Sequence, residues 1–332
     1  MVAEAAPTPL WRRLLASRLV KIGFSVLFLA LLLTYTDTSD LVAAVRTAQP
    51  GWVLAALVMY VVSQLVSAWR WMILARAVGF DQPFSTFFRS YFAGLYMNLF
   101  APSTVAGDIG RALYIAGSTR SRALALTTVI ADRALGFVVL VFIGAVAVLT
   151  QPYRLPRILY LSSWIVPPAT LLLWLYGPQL MVRMFSPESR WRVLVERDLD
   201  PYWRDGKLLI NTSLIAALMH VLQILAQIAL AWALRIDAPA MFFFIFVPVV
   251  NIIGMLPISF NGIGVREAGY IFFMKRVGVV SHSALAVGLL SSGIVLITGI
   301  AGGLVFALSR SQLRGGTEAD GEPTLVADDR NL

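Results

Sequence analysis

The sequence predicts an all-α polytopic membrane protein, with about six full crossings and two re-entrant broken helical elements arranged as two inverted-topology repeats. Three observations carry that prediction. Apolar residues make up 58% of the 332-residue chain and charged residues only 14%, against about 25% in a soluble domain. Apolar runs of about 20 residues, enough for roughly 30 Å of hydrocarbon, recur along it. Two of these runs are interrupted by proline and glycine in matching order. Because the runs are continuous rather than alternating, a β-barrel is disfavoured.

The first run spans 22–35, behind Trp11, Arg12, Arg13, Arg18 and Lys21. It has the shape of a signal peptide. Thr36-Asp37-Thr38-Ser39-Asp40 follows without a small-x-small cleavage site, so an uncleaved first helix is expected. Further runs lie near 51–68, 123–149, 158–178, 208–234 and 284–308, and the broken segments are 87–106 and 241–274. The chain therefore divides into a basic cytoplasmic N-terminus (1–17), a first membrane repeat (18–149) and a second (150–308). The tail 309–332, rich in Gly, Thr, Glu and Asp, reads as disordered and cytoplasmic.

Charge fixes the expected orientation. The net charge is +9, yet the basic residues sit between apolar runs, where they set topology rather than bind nucleic acid. If 87–106 returns to the side it left, most of the 27 Lys and Arg residues fall on one side. Making it a full crossing would put the loop 182–207, with Arg183, Arg190, Arg192, Arg197, Arg204 and Lys207, on the outside. The positive-inside bias therefore favours re-entrance and two cytoplasmic termini. Trp191 and Trp203 put that loop at the membrane interface.

The two broken segments resemble each other. Residues 102–111 read PSTVAGDIGR and residues 257–266 read PISFNGIGVR, so Pro102, Gly107 and Arg111 correspond to Pro257, Gly262 and Arg266. Proline removes a backbone donor, and Gly107, Gly262 and Gly264 permit tight turns and close backbone approach. Irregular backbone at membrane depth survives only inside protein or along a polar cavity. Each following half-helix offers free N–H groups to an anion, with an arginine nearby. Mere packing breaks are the bland alternative.

Asp132 and Arg133 interrupt the apolar stretch TTVIADRALGFVVLVF. A charge at the bilayer centre costs roughly 2.5–3.5 kcal/mol on insertion scales, so such groups pair internally or face a wet cavity. As helix neighbours they point about 100° apart and each needs its own partner. Asp108, Arg111, Arg266 and Glu267 are the candidates. One reading is a structural ion-pair network, the other a charged cavity for a lipid phosphate. A second polar stripe, His220, Gln223 and Gln227 with Ser213 upstream, repeats at helical spacing and should face the bundle interior. Gly299 and Gly303 form a GxxxG step suited to close helix packing. The two distant histidines and the absence of cysteine leave no metal-ligating or thiol motif.

The stretches AWRWMILARAVG, YMNLFAPSTVAGDIGRALYI, ADRALGF and LPISFNGIGVREAG resemble the flippase-like membrane family. That family is the transmembrane region of lysylphosphatidylglycerol synthases and their stand-alone relatives. The most specific runs are Asn98, Pro102, Gly107, Asp108, Arg111 and Pro257, Gly262, Gly264, Arg266, Glu267, with Asp132 and Arg133 matching the acidic–Arg pair. Ala106 stands where family members often carry a glycine.

The resemblance implies translocation of an anionic phospholipid or a polyprenyl-phosphate-linked lipid, with Arg111 and Arg266 on the phosphate. Asp108, Asp132 and Glu267 would position those arginines, and His220 and Gln223 would touch the headgroup. The short stretch after residue 308 leads us to expect a stand-alone protein without an aminoacyl transferase, not an enzyme, and without a cofactor. Its expected partners are membrane lipids, with lipid-biosynthesis enzymes as further candidates. No Walker motif is present, so no nucleotide-driven cycle is expected. A non-transporting partner of a lipid or glycolipid biosynthesis enzyme is the main alternative. A membrane glycosyltransferase, hinted at only by Asp37 and Asp40, is the lesser one.

Overall fold

The computed structural model describes residues 23–319 except 24–25, 28–29, 35, 37, 101–104, 117–118, 153–154, 187–188, 190–191, 193–195, 197–198 and 256–261. Among the described residues the chain is helical, without strands. Eleven α-helices can be named in order. They are α1 (Thr38–Arg46), α2 (Pro50–Ala77), α3 (Phe84–Phe100), α4 (Val105–Ile115), α5 (Thr119–Thr150) and α6 (Arg157–Met184). Then come α7 (Pro201–Arg204), α8 (Gly206–Ala233), α9 (Ala240–Gly254), α10 (Val265–Met274) and α11 (Ser281–Ala319).

Among the described residues five helices are long and apolar enough to cross a membrane: 50–77, 122–150, 157–177, 206–233 and 281–308. This is a multi-pass membrane protein. The expected first crossing at 22–35 lies partly outside the described residues, of which 30–34 are helical.

Local chemistry sets several boundaries. Pro50 stands at the start of α2, where its missing N–H costs no hydrogen bond. At α8 the Asp205 carboxylate accepts from the Leu208 N–H at 3.0 Å, satisfying one of the helix's free donors. The last helix runs on to Ala319, where the composition had suggested a tail from residue 309. Ser309 to Arg314 includes Arg, Gln and Leu, residues that propagate a helix once it has started.

The two broken segments are helical hairpins. In the first, α3 and α4 run antiparallel, Gly94 lying against Arg111 and Asn98 against Gly107. A Cβ at Gly94 would lie 2.8 Å from the Gly107 carbonyl oxygen, so only glycine allows this approach. Both arms are longer than the expected 87–106, because helix resumes at Val105 and continues to Ile115. In the second hairpin α9 and α10 are antiparallel, with Gly254 against Arg266 and Val250 against Gly269. Gly262 (φ +79°) and Gly264 (φ +87°) make its turn in the left-handed region that disfavours any side chain. The prolines expected at the breaks, Pro102 and Pro257, lie outside the described residues, as does the side chain of Trp203.

Helix pairing follows a plan. Helices α2 and α8 pack on each other at the centre. The α3–α4 hairpin packs on α11, and the α9–α10 hairpin packs on α5. Small residues permit both contacts, since lipid gives helices little hydrophobic reason to associate. On α11, Gly299 meets Leu99, Gly302 meets the Phe92 carbonyl and Gly303 meets Tyr96. On α5, Gly144 takes the ring of Pro248, the proline inside α9.

Buried polar bonds add specificity. The Trp71 indole N–H donates to Thr128 Oγ1 at 3.0 Å, tying α2 to α5. Tyr202 donates to the Leu74 carbonyl at 2.8 Å, and burial pushes its phenol well above the ordinary range. In the loop before α8, Arg192 pairs with Glu196 at 3.0 Å and Arg204 with Asp200 at 2.7 Å. Exposed pairs of this kind add little stability.

Candidate functional site

A cavity of about 260 Å³ opens where α2, α5 and α8 meet the two hairpins and α11. Its chemistry is set by a chain of charges on α2, α4 and α5, buried at Arg70, Arg111 and Asp132. Asp132 is the centre, 2% exposed. Arg70 Nε donates to its Oδ1 at 2.8 Å, and Arg70 Nη2 donates to its backbone carbonyl at 3.2 Å. Arg111 Nη2 donates to its Oδ2 at 3.1 Å.

Arg111 also turns its Nε to Asp108 Oδ1 at 3.2 Å, one helical turn earlier on α4. Arg133 Nη2 donates to the same Asp108 oxygen at 3.0 Å. The order is thus Arg70–Asp132–Arg111–Asp108–Arg133, with three cations on two anions. Aromatic faces give Arg111 a second kind of support: its Cζ lies 4.8 Å from the Trp71 ring centroid and 5.0 Å from that of Tyr91. Tyr91 in turn donates to Ser67 Oγ at 2.9 Å.

Among the described residues three buried guanidinium nitrogens lack a hydrogen bond; one, Arg133 Nε, lies 2.9 Å from Asp108 Oδ2 as an ion pair. Nη1 of Arg70 and Nη1 of Arg111 are buried with no hydrogen-bond partner among the described residues. A buried donor left bare is costly, and an incoming acceptor would relieve it.

The second hairpin adds Arg266 to the cavity lining. Its side chain lies against the bare Cα positions of Gly254 and Gly262, where a Cβ would come within about 3 Å. It makes no ion pair with a described carboxylate. Glu267, expected to position it, does something else. Its Oε2 accepts the Gly264 N–H at 2.6 Å and its Oε1 accepts the Ser292 hydroxyl at 2.7 Å. The glycine turn aims this carboxylate at the N-terminus of α10 and at α11, where it satisfies a free helix donor. Glu267 is fully buried and does not face the cavity.

The other expected residues fall in two groups. Asp132, Arg133, Arg111, Arg266, Asn98, His220 and Gln223 all line the cavity. Asp108 sits just behind it, holding Arg111 and Arg133. Asn98 also closes the first hairpin, its Oδ1 accepting the Gly107 N–H at 2.9 Å. His220 Nε2 donates to the Gly136 carbonyl at 2.9 Å, and Gln227 Nε2 donates to Ser291 Oγ at 2.9 Å.

Sequence reasoning missed Arg70. Its place after a long apolar run makes it look like a cytoplasmic anchor, whereas it lies buried in the ion chain. Arg111 likewise leaves the set of inner-side cations. Without them the expected charge imbalance keeps its sign. A signal for Arg70 existed: Tyr60, Gln64, Ser67 and Arg70 recur at helical spacing, and all four line the cavity. Among the described residues no group of three His, Cys, Asp or Glu could hold a metal.

Fold and site together define a multi-pass helical membrane protein with a cationic cavity between two helical hairpins. The chain belongs to the lysylphosphatidylglycerol synthase TM region family, whose model matches residues 18–303. No curated protein matches the chain. Membership makes it a lipid-related membrane protein of the flippase-like kind.

Proposed function

We propose that this protein is a flippase or scramblase that carries an anionic phospholipid or a polyprenyl-phosphate-linked lipid across the bacterial inner membrane. The observation that carries the reading is the convergence of Arg70, Arg111, Arg133 and Arg266 on one cavity, with two guanidinium donors unmet. Guanidinium groups match phosphate geometry, and a phosphate oxygen would supply the missing acceptors. A space equal to roughly nine water volumes takes a headgroup and leaves the acyl chains outside. No bond is made or broken in this reading, so the protein is not an enzyme. Its partners are the lipids themselves.

The architecture supports it. Pairing α2 with α8, α3 with α9, α4 with α10 and α5 with α11 maps the contacts of the first half onto those of the second. That mapping favours two repeats. Counting the expected crossing at 22–35 gives three per half, and an odd number inverts the second half in this reading, with each hairpin re-entrant and both termini cytoplasmic. Transporters of this build place their sites between broken helices near the midplane.

Flipping of headgroup-labelled anionic lipids and a polyprenyl phosphate by the purified protein in liposomes tests the proposal. One lipid should move, and its movement should collapse in folded Arg111→Ala and Arg266→Ala. Folded protein that moves none of them would favour a non-transporting partner of a lipid-synthesis enzyme.

A further inference from the structure

The cavity has a second wall of opposite hydrogen-bonding character. Gly136 joins the two. On one side a Cβ there would lie 3.2 Å from both Nη atoms of Arg70. On the other, its carbonyl takes the Nε2–H of His220 at 2.9 Å. A carbonyl can only accept, so Nε2 carries the proton, and Nδ1 of the neutral ring is left as an acceptor. This Nδ1 is buried with no partner among the described residues. Two helical turns along α8, Gln227 donates to Ser291, and its Oε1 is also buried without a partner among the described residues. Both side chains are only 7% exposed and both line the cavity, with Gln223 between them.

Guanidinium donors on one wall and bare acceptors on the other ask for a ligand carrying both an anion and hydrogen-bond donors. Resting on the phosphate reading above, we infer that the headgroup bears hydroxyl groups beyond its phosphate, as in a glycerol or sugar phosphodiester. His220 Nδ1 and Gln227 Oε1 accept from those hydroxyls. Ammonium groups would also donate, but they would face four guanidinium groups of like charge offset only by the carboxylates of Asp132 and Asp108. A hydroxylated headgroup satisfies both walls without that repulsion.

The test uses the full-length protein in detergent, titrated with three lipids of identical acyl chains: phosphatidylglycerol, phosphatidylmethanol and phosphatidylethanolamine. The first two are monoanionic phosphodiesters that differ by two hydroxyl-bearing carbons. Binding is read by native mass spectrometry. Phosphatidylglycerol should bind about 5–50-fold more tightly than phosphatidylmethanol, the worth of one or two neutral hydrogen bonds. His220→Gln keeps a donor near Nε2 and removes the Nδ1 acceptor, and Gln227→Met removes the other acceptor. In each the ratio should fall toward one.

Equal binding of phosphatidylglycerol and phosphatidylmethanol, with both weakened by Arg111→Gln, would overturn the hydroxyl inference and leave the phosphate reading standing. Tighter binding of phosphatidylethanolamine would overturn it in favour of ammonium. Binding of both anionic lipids indifferent to Arg111→Gln would overturn the phosphate reading as well.

Discussion

Arg70 and Asp132, 62 residues apart in the chain, meet at 2.8 Å in the interior and join the helices α2 and α5. The pair is 4% and 2% exposed at its side chains, so neither charge has water to fall back on. Arg111 takes the second carboxylate oxygen. One acid thus fixes two of the four cavity arginines.

Removing that acid should therefore be severe. Asp132→Ala leaves buried Arg70 without an anion and Arg111 with Asp108 alone, and breaking a buried pair from one side costs about 3–5 kcal/mol. Unfolding of the purified protein in detergent should show this loss. Arg70→Lys should fail to restore wild-type stability, because an ammonium cannot reach both Oδ1 and the backbone carbonyl with a planar fork.

Glu267 behaves as a cap, and charge is secondary to its two acceptor contacts. Glu267→Gln can still accept from Gly264 and donate to Ser292, so it should lose about 1 kcal/mol, whereas Glu267→Ala should lose about 2–3 kcal/mol. Thermal unfolding of the two variants separates the roles. Equal losses would mean that the carboxylate charge is what matters.

Gly302 lets α3 reach α11, and a Cβ there would run into the Phe92 backbone carbonyl. Backbone cannot swing aside as a side chain does. Gly302→Ala should destabilise by about 1–3 kcal/mol. Gly177→Ala has open space around it and should be near neutral, which the same unfolding assay checks.

Gly136 keeps room for the Arg70 guanidinium on the face of α5. Gly136→Val should leave the protein in the membrane but shift Arg70 and lower anionic-lipid binding by about tenfold, an effect of roughly 1.4 kcal/mol. Lipid titration of the purified variant measures it.

Much of this arrangement was legible in the sequence because hydrocarbon is an unforgiving solvent. Continuous apolar runs announced the five long helices, and the Gly262–Gly264 pair announced a break that the backbone bears out with two positive φ angles. Asp132 and Arg133 stood out as charges without water. Their partners were not readable, since adjacency in the chain says nothing of which helix crosses α5. Arg70 was hidden by resembling an interfacial anchor. Glu267 follows Arg266 directly, which suggested a shared task. The left-handed turn at Gly264 instead brings its carboxylate back over the helix terminus.

The proposed function requires a lipid phosphate against Arg111 and Arg266 inside the protein. Solid-state NMR of arginine-¹⁵N-labelled protein in anionic-lipid bilayers measures it through ³¹P dephasing of guanidinium nitrogens. A charge-assisted contact puts phosphorus within about 4 Å of the nitrogen. Difference spectra between wild type and Arg111→Gln, and between wild type and Arg266→Gln, should each reveal a strongly dephased guanidinium lost on substitution. If the signals removed by both substitutions show no ³¹P dephasing, these arginines hold no phosphate and the account is contradicted.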